Sequence, residues 1–430
     1  MNFHKSEKLL KKAKELIPSA SQTFSKSYQQ YPIGKSPVFL SRGKGGIVWD
    51  VDNNKFIDLV CGLLPIVIGY NNKEINSAII KQLKKGITFS LSTELEIILS
   101  KMLNEIIPSA EMVRFGKTGS DVTGAAIRIA RAYTKKEHII SIGYHGWHDW
   151  YIGATTRDIG VPKSVKKLTH KIQYNNTEDL EKILHKYKNK VAAIIMEPMN
   201  IDEPKPGYLN YVKKIARKEK ALLIFDEIVT GFRFDLGGAQ NYFNVTPDIS
   251  TFGKALGNGM PIAAIVGKKK YMNLMDEIFF SGTFNGECLS IAAAIELIKK
   301  IKRDNVIKEI WSKGEKLTNS VNHIIKKLEM SDILKLKGKN CWKILKFENY
   351  KNVNSSIIST FFHKEMIAQG ILINGSHNIC YEHTSADIKK IVKAYEKSLK
   401  KIKQELNENS IFKNLDCPVM NPVFKPRKEK

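Results

Sequence analysis

Six short stretches of the chain carry residue types that could do chemistry together. In Ala221-Leu222-Leu223-Ile224-Phe225-Asp226-Glu227 an acidic pair follows directly on an apolar run. A carboxylate at the carboxyl end of a buried strand sits where open α/β sheets bind ligands, although a helix cap would look the same. In Phe252-Gly253-Lys254-Ala255-Leu256-Gly257-Asn258-Gly259-Met260-Pro261 a single lysine stands among glycines and apolar residues. Loss of water lowers the pKa of such an amine and makes it a better nucleophile towards a carbonyl. The glycine spacing lacks the GxxxxGK[ST] order of a nucleotide loop. In Phe115-Gly116-Lys117-Thr118-Gly119-Ser120-Asp121, ahead of the helical run Val122–Tyr133, Gly119 permits close backbone approach. Ser120 and the free N–H groups of a helix start could hold a phosphate, or simply cap the helix. Gly143-Tyr144-His145-Gly146-Trp147-His148-Asp149 puts an aromatic ring after a strand, where it can stack on a planar group. His145 and His148 lack the HExxH order and the third partner of a metal centre, so no metal is expected. Glu197-Pro198 and the polar loop Ser281–Gly286, which holds Thr283, complete the set.

These residues need elements to position them. Continuous apolar runs over Met112–Phe115, His138–Ile142, Ala192–Met196, Ala221–Phe225 and Ile262–Val266, with helical stretches between them, predict a parallel sheet buried on both faces. Residues 60 to 300 thus read as one α/β domain. Ahead of it the spacing predicts a helix over Glu7–Ile17 and a hairpin over Gly46–Asp58 around Asp52-Asn53-Asn54. Beyond it lie strands at Trp342–Phe347 and Gly370–Ile373 and a final helix, Ser385–Glu405. The division expected is 1–60 for the N-terminal helix and hairpin, 61–304 for the large α/β domain, 305–405 for a small α+β domain and 406–430 for a basic tail. That tail, polar and with three prolines, reads as a surface arm.

Composition narrows the function classes. A chain of 430 residues with 43% apolar content can bury a sizeable core. The longest apolar runs are far shorter than a membrane span, and the charged start Met1–Lys8 has no apolar signal region. Five scattered cysteines without a CxxC pair suit reduced thiols in the cytoplasm, and neither a disulfide scaffold nor a zinc site. The net charge of +26 would attract nucleic acid or acidic lipid, but nine of the 69 basic residues are arginines. Bidentate phosphate and base readout favours arginine, so the lysines read as a solvated face that still draws in anionic substrates. Neither nucleic acid nor membrane is an expected partner.

Taken together, the order and spacing of these stretches resemble the class III (ω-type) aminotransferases, pyridoxal-phosphate enzymes of fold type I, and among them most of all the glutamate-1-semialdehyde aminomutases. The resemblance covers residues from about 6 to about 400 and includes Arg42-Gly43-Lys44-Gly45, Trp49-Asp50-Val51-Asp52, Ser92-Thr93-Glu94-Leu95-Glu96, Arg128-Ile129-Ala130-Arg131-Ala132-Tyr133-Thr134 and Tyr144-His145-Gly146. Its strongest element is Asp226-Glu227 standing 28 residues before Lys254. It implies a mainly parallel central sheet in a large domain with a smaller α+β C-terminal domain, and pyridoxal 5'-phosphate as cofactor. It implies that Lys254 forms the Schiff base with the cofactor and shuttles a proton, and that Asp226 faces the pyridine nitrogen. Gly119 and Ser120 would hold the phosphate, Tyr144 and Ile228 the two ring faces, and Glu197 would lie beneath; His145 joins the cofactor-binding positions. Thr283 would reach the phosphate of a neighbouring subunit, which makes a homodimer with a shared active site.

The substrate positions depart from the aminomutase pattern. The arginine that binds a substrate carboxylate there is matched here by Lys26, which has no bidentate fork. A tryptophan after the hairpin is matched by Leu63, and the usual Asn-Ser-Gly-Thr-Glu by Lys117-Thr118-Gly119-Ser120-Asp121. The expected activity is therefore amino transfer from an amino donor to a small or sugar-linked carbonyl acceptor. The alternative is glutamate-1-semialdehyde 2,1-aminomutase. A non-catalytic, basic nucleic-acid-binding protein is the remote alternative, against which the intact Lys254 and Asp226 stand.

Overall fold

The computed structural model describes residues 1–420. Contacts divide the described residues into two units, one of residues 73–307 and one joining residues 1–72 to 308–420.

Seven strands form the sheet of the first unit: β1 (Met112–Gly116), β2 (His138–Ile142), β3 (Thr169–Lys171), β4 (Val191–Met196), β5 (Leu222–Asp226), β6 (Ile249–Phe252) and β7 (Ala263–Gly267). Their order across the sheet is β1-β7-β6-β5-β4-β2-β3. From β3 to β6 every pairing is parallel, and β7 runs antiparallel to both β6 and β1. Strands β4 to β7 are buried at every position. The cause is visible in how alternate residues sort. Ile139, Ile195 and Ile224 enter one core with Val122, Ala126 and Ile129 of the helix Gly119–Thr134. Ile140, Ile194, Leu223 and Phe225 enter the other with Leu180, Leu184, Leu209 and Val212 of the helices Thr177–Lys186 and Tyr208–Lys218. Each large aliphatic side chain so buried contributes about 1.5–3 kcal/mol. The five apolar runs therefore become strands, within a residue of their expected bounds. Two strands were not expected. β3 is a three-residue edge strand, and β6, Ile-Ser-Thr-Phe, is half hydroxylic and gives no apolar run.

In the second unit the hairpin forms as expected, with Ile47–Asp50 antiparallel to Lys55–Asp58 and Asn53 in the left-handed region at the turn. The expectation of a separate segment 1–60 is corrected here. Ile371–Leu372 pairs in parallel with Lys55–Asp58, so the N-terminal strands and a C-terminal strand share one four-stranded sheet. A second sheet holds Leu334–Lys339, Trp342–Phe347 and Ser376–Asn378. The start of the expected surface arm is also packed. The last long helix runs over Ser385–Asn407, Ile411 and Leu415 are buried, and Lys364 Nζ donates to the carbonyl of Asn414 and the carboxylate of Asp416. The rest of that tail, 421–430, lies outside the described residues.

Candidate active site

The chemistry-bearing residues gather at one edge of the seven-stranded sheet because its strands share a direction. Asp226 is the last residue of β5 and Glu197 the first after β4. Tyr144 and His145 follow β2, and Lys254 follows β6 by two residues. β1 points the same way, and three residues after it the helix Gly119–Thr134 begins. Its start is fixed by a capping box, in which Thr118 Oγ1 accepts from the Asp121 amide and Asp121 Oδ2 from the Thr118 amide.

Asp226 is 4% exposed and held from two sides. Its Oδ2 accepts from His145 Nδ1 at 2.8 Å, and its Oδ1 from the Ile228 amide at 3.1 Å. His145 is itself buried, and its Nε2 has no hydrogen-bond partner among the described residues. This ring orients a carboxylate; the structure pairs it with Asp226 and not with His148, whose ring lies against Trp147. Glu197 Oε2 accepts from the Tyr144 amide at 3.0 Å and from Asn200 Nδ2. Gly143, at φ +115°, makes that approach possible, since a Cβ there would stand 2.3 Å from Glu197 Oε2. Gly146, at φ +98°, likewise lets the loop close on Ser120, whose hydroxyl accepts from the Trp147 amide at 3.2 Å.

Lys254 begins a single 3₁₀ turn, Lys254–Gly257, in the left-handed region at φ +41°. That conformation is uncommon for a side chain with a Cβ and costs about 1–3 kcal/mol, an expense typical of functional positions. Burial pushes its amine pKa down, while the carboxylates of Glu197 and Asp226 pull it back and the Arg233 guanidinium adds to the depression. Glu227, next to Asp226, has a different task. Fully buried, it accepts from Thr230 Oγ1 and from the amides of Ala239 and Gln240, and so holds the 230–240 loop in place. Burial still lifts its pKa to about 6.

Glu197 is pushed up to about 8, chiefly by burial and then by Asp226. This yields a test of the site's electrostatics without any ligand. A carboxyl with a folded pKa near 8 and an unfolded pKa near 4.5 binds its proton more tightly when folded. Its contribution is full below the unfolded value and is lost as pH rises through the folded one. Between pH 5 and 8.5 the cofactor-free wild type is expected to lose about 2–5 kcal/mol of stability that Glu197→Gln keeps. Thermal melts across that range read the difference. Parallel pH profiles for the two proteins would show that the carboxyl is not desolvated.

The group that the resemblance implies, pyridoxal phosphate, fits what the residues offer. A helix start with a serine hydroxyl suits a phosphate, a buried carboxylate suits a basic ring nitrogen, and a depressed lysine amine suits an aldehyde. The backbone leaves room around Ile228: a Cβ on Gly119 would approach that side chain to 3.3 Å and one on Gly253 to 3.0 Å. Gly119, Ser120, Tyr144, His145, Glu197, Asp226, Ile228 and Lys254 are all brought to this edge. Thr283 is exposed and lines a cavity of about 670 Å³ in the same unit with Lys117, Asp121 and Gly124 around the start of the helix Gly119–Thr134, and with Arg128, Arg131 and His148. Lys26 is an exposed residue of the one-turn helix Phe24–Lys26 in the other unit. Residue by residue reading missed several supports. Asn200 reaches Glu197, Thr251 reaches Asp226 Oδ1 at 3.5 Å, and Tyr151 OH donates to the Gly143 carbonyl. Thr251 carries no local signal because its partner lies on the neighbouring strand, while Asn200 and Tyr151 act within the loops that follow β4 and β2.

Comparison with known proteins agrees with this architecture. Residues 28–402 match the family model described as Aminotransferase class-III. The chain is 39% identical over 416 residues to 3-aminobutyryl-CoA aminotransferase of Cloacimonas acidaminovorans (strain Evry), covering 94% of this chain and 99% of that one. It is 34% identical over 432 residues to glutamate-1-semialdehyde 2,1-aminomutase of Wigglesworthia glossinidia brevipalpis, covering 93% and 99%. The fold is that of the pyridoxal-phosphate form of the FumI protein from Sphingopyxis sp. MTA144, with a TM-score of 0.87 at 23% identity over 97% of this chain and 99% of that one. The sheet order, the residues gathered at its carboxyl edge and the match along most of the chain lead to one conclusion: the protein belongs to the class-III aminotransferase family, whose members work with pyridoxal phosphate.

Proposed function

We propose that the protein is an intermolecular aminotransferase that works through Lys254, and the observation that carries the reading is that lysine, its backbone in the left-handed region and its desolvated amine within reach of the charges of Asp226 and Glu197 at the sheet's carboxyl edge. Pyridoxal phosphate, when bound, supplies an electron sink for the carbon that carries the amino group. The chain's own residues do the rest. Gly119, Ser120 and the helix behind them would hold the phosphate. Asp226, oriented by His145, would keep the ring nitrogen protonated. Tyr144 and Ile228 would pack against the ring, and Glu197 would lie beneath as a buried acid that Lys254 feels. Lys254 Nζ would take a proton from the substrate carbon that carries the amino group.

The acceptor proposed is a 3-oxoacyl carbonyl, at best as an acidic thioester. The 39% identity to a 3-aminobutyryl-CoA aminotransferase supports this, and so does the net charge of +26, which favours polyanionic substrates. Lys26 in place of a forked arginine and Leu63 in place of an aromatic weaken the case for the aminomutase. A panel of 3-oxoacyl thioesters, free 3-oxo acids, sugar-linked carbonyls and glutamate-1-semialdehyde decides it. Turnover of a thioester with an amino donor is expected. Conversion of the semialdehyde to 5-aminolevulinate without any donor, at kcat/KM above roughly 10⁴ M⁻¹s⁻¹, would establish the aminomutase instead.

The active unit proposed is a homodimer in the cytoplasm. Free thiols at all five cysteines suit that compartment. Ile97, 71% exposed, lines a cavity of about 960 Å³ with Ser281, Gly282, Asn285 and Gly286, and Phe284 of the same loop and Phe279 just before it are exposed. Such uncovered apolar surface favours association. If Thr283 serves the partner's phosphate, Thr283→Ala weakens cofactor affinity by about 1–3 kcal/mol. Subunits carrying Lys254→Ala, mixed with Thr283→Ala subunits at limiting cofactor, then regain one working site per heterodimer. Verified subunit exchange without recovered activity would count against sharing.

A further inference from the structure

A cluster outside the active site has the composition of a metal centre. Cys61, Cys380 and His383 belong to the unit made from the two ends of the chain, and one ligand atom of each lies within 4.8 Å of the others. Exposure is 0%, 0% and 1%. The donors come from three places: the turn after the strand Lys55–Asp58, the segment after Ser376–Asn378, and the approach to the helix Ser385–Asn407. Around a tetrahedral zinc ion, with bonds of about 2.3 Å to sulfur and 2.0 Å to nitrogen, donor atoms stand about 3.3–3.8 Å apart. The cluster is thus within about an ångström of closing on an ion.

Its surroundings point the same way. The His383 ring is clamped, since a Cβ on Gly46 would stand 2.3 Å from it. Its Nδ1 accepts the Cys380 amide proton at 3.0 Å and its Nε2 is buried with no hydrogen-bond partner among the described residues, so Nε2 carries the proton of the neutral metal-free ring and becomes a ligand atom only when that proton leaves or moves. The Cys61 thiol donates to the carbonyl oxygens of Asp58 at 3.2 Å and Asn378 at 2.9 Å, a proton that ion binding would displace, and either carbonyl can then supply a further ligand atom. The Asp58 carboxylate is committed elsewhere, accepting from the Val60 amide and from Tyr70 OH at 2.7 Å each. The turn itself needs support. Cys61, Gly62, Leu63 and Leu64 all have positive φ, at 48°, 66°, 74° and 81°, and three of the four are not glycine. A run of this kind persists only where its surroundings over-determine it.

We infer that Cys61, Cys380 and His383 bind one thiophilic ion of the zinc class, and that this ion pins the strained turn carrying Leu63 to the C-terminal part of the chain. Thiolate and imidazole donors select such an ion over magnesium or calcium. Both thiols give up a proton on binding, so a divalent ion leaves the buried site without net charge.

The experiment uses untagged, reduced holoenzyme stripped of metal. Zinc is titrated in competition with a chromophoric chelator, and cobalt(II) is added separately to read thiolate-to-metal charge transfer. One equivalent per chain is expected, with a cobalt–thiolate band, and affinity at least about 100-fold weaker in Cys61→Ser and Cys380→Ser. Cys417→Ser should bind as the wild type does. Zinc should also shield Cys61 and Cys380 of the wild type from alkylation, a reading that stands even if the serine variants fail to fold. Zinc uptake equal in wild type and Cys380→Ser, cobalt binding without a thiolate band, or no alkylation shielding would overturn the inference. So would a Cys61–Cys380 disulfide that forms and persists under reducing conditions with zinc present, which would make the pair redox-active instead.

Discussion

Lys254→Ala is expected to lose multiple turnover, by more than about 10⁴-fold, the upper range for a single positioned acid–base group. In the proposed mechanism two functions leave with the amine: attachment of the cofactor and movement of the substrate proton. No other lysine lies in the Gly253–Pro261 stretch to replace it. Borohydride reduction of the loaded wild type followed by peptide mapping should place the label on Lys254. The instructive competitor is Lys171, whose amine is also depressed by burial and also feels Glu197. Lys171 is committed to Tyr151, with Nζ 3.3 Å from its hydroxyl. A label on Lys171, or a Lys254→Ala protein that turns over at a tenth of the wild-type rate, would remove Lys254 from the centre of the mechanism.

Asp226→Asn is the second large effect, expected at about three orders of magnitude in rate, the scale of a lost electrostatic contact in a water-poor site. The change keeps the shape of the side chain and removes its charge. Two consequences follow at once. On the proposed mechanism the ring nitrogen of the cofactor would lose the anion that keeps it protonated. His145, whose Nδ1 stands 2.8 Å from Asp226 Oδ2, also loses a charge-assisted hydrogen bond, and an amide presented the wrong way round cannot accept from it. Cofactor binding should survive, because the phosphate is expected at Gly119 and Ser120. Absorbance titration of the cofactor together with single-turnover rates separates the two effects. A rate within about threefold of the wild type, with cofactor bound, would show that another residue handles the ring nitrogen.

Much of this architecture was legible along the chain, for a physical reason. A strand buried on both faces is apolar at most positions, so most of the central strands stand out as short continuous runs. The glycines around Lys254 and the acid that ends β5 are likewise local properties. With the resemblance they were enough to pick out the candidate lysine and its carboxylate. What remained illegible depends on pairs distant in sequence. β6, which delivers Lys254, is a strand because β5 and β7 flank it, and its two hydroxylic residues hide it from any periodicity. His145 has no metal-ligand spacing and finds its purpose in Asp226, 81 residues on. Thr251 matters only through the carboxylate it meets on the neighbouring strand. The N-terminal hairpin gives no hint that Ile371–Leu372 will extend its sheet, and three ligand-type side chains gather with two of them more than 300 residues from the third. Side-chain patterning is written residue by residue and can be read there. Which edge a strand joins, and which buried polar group answers another, is settled by closing the chain on itself, and only the tertiary structure decides it.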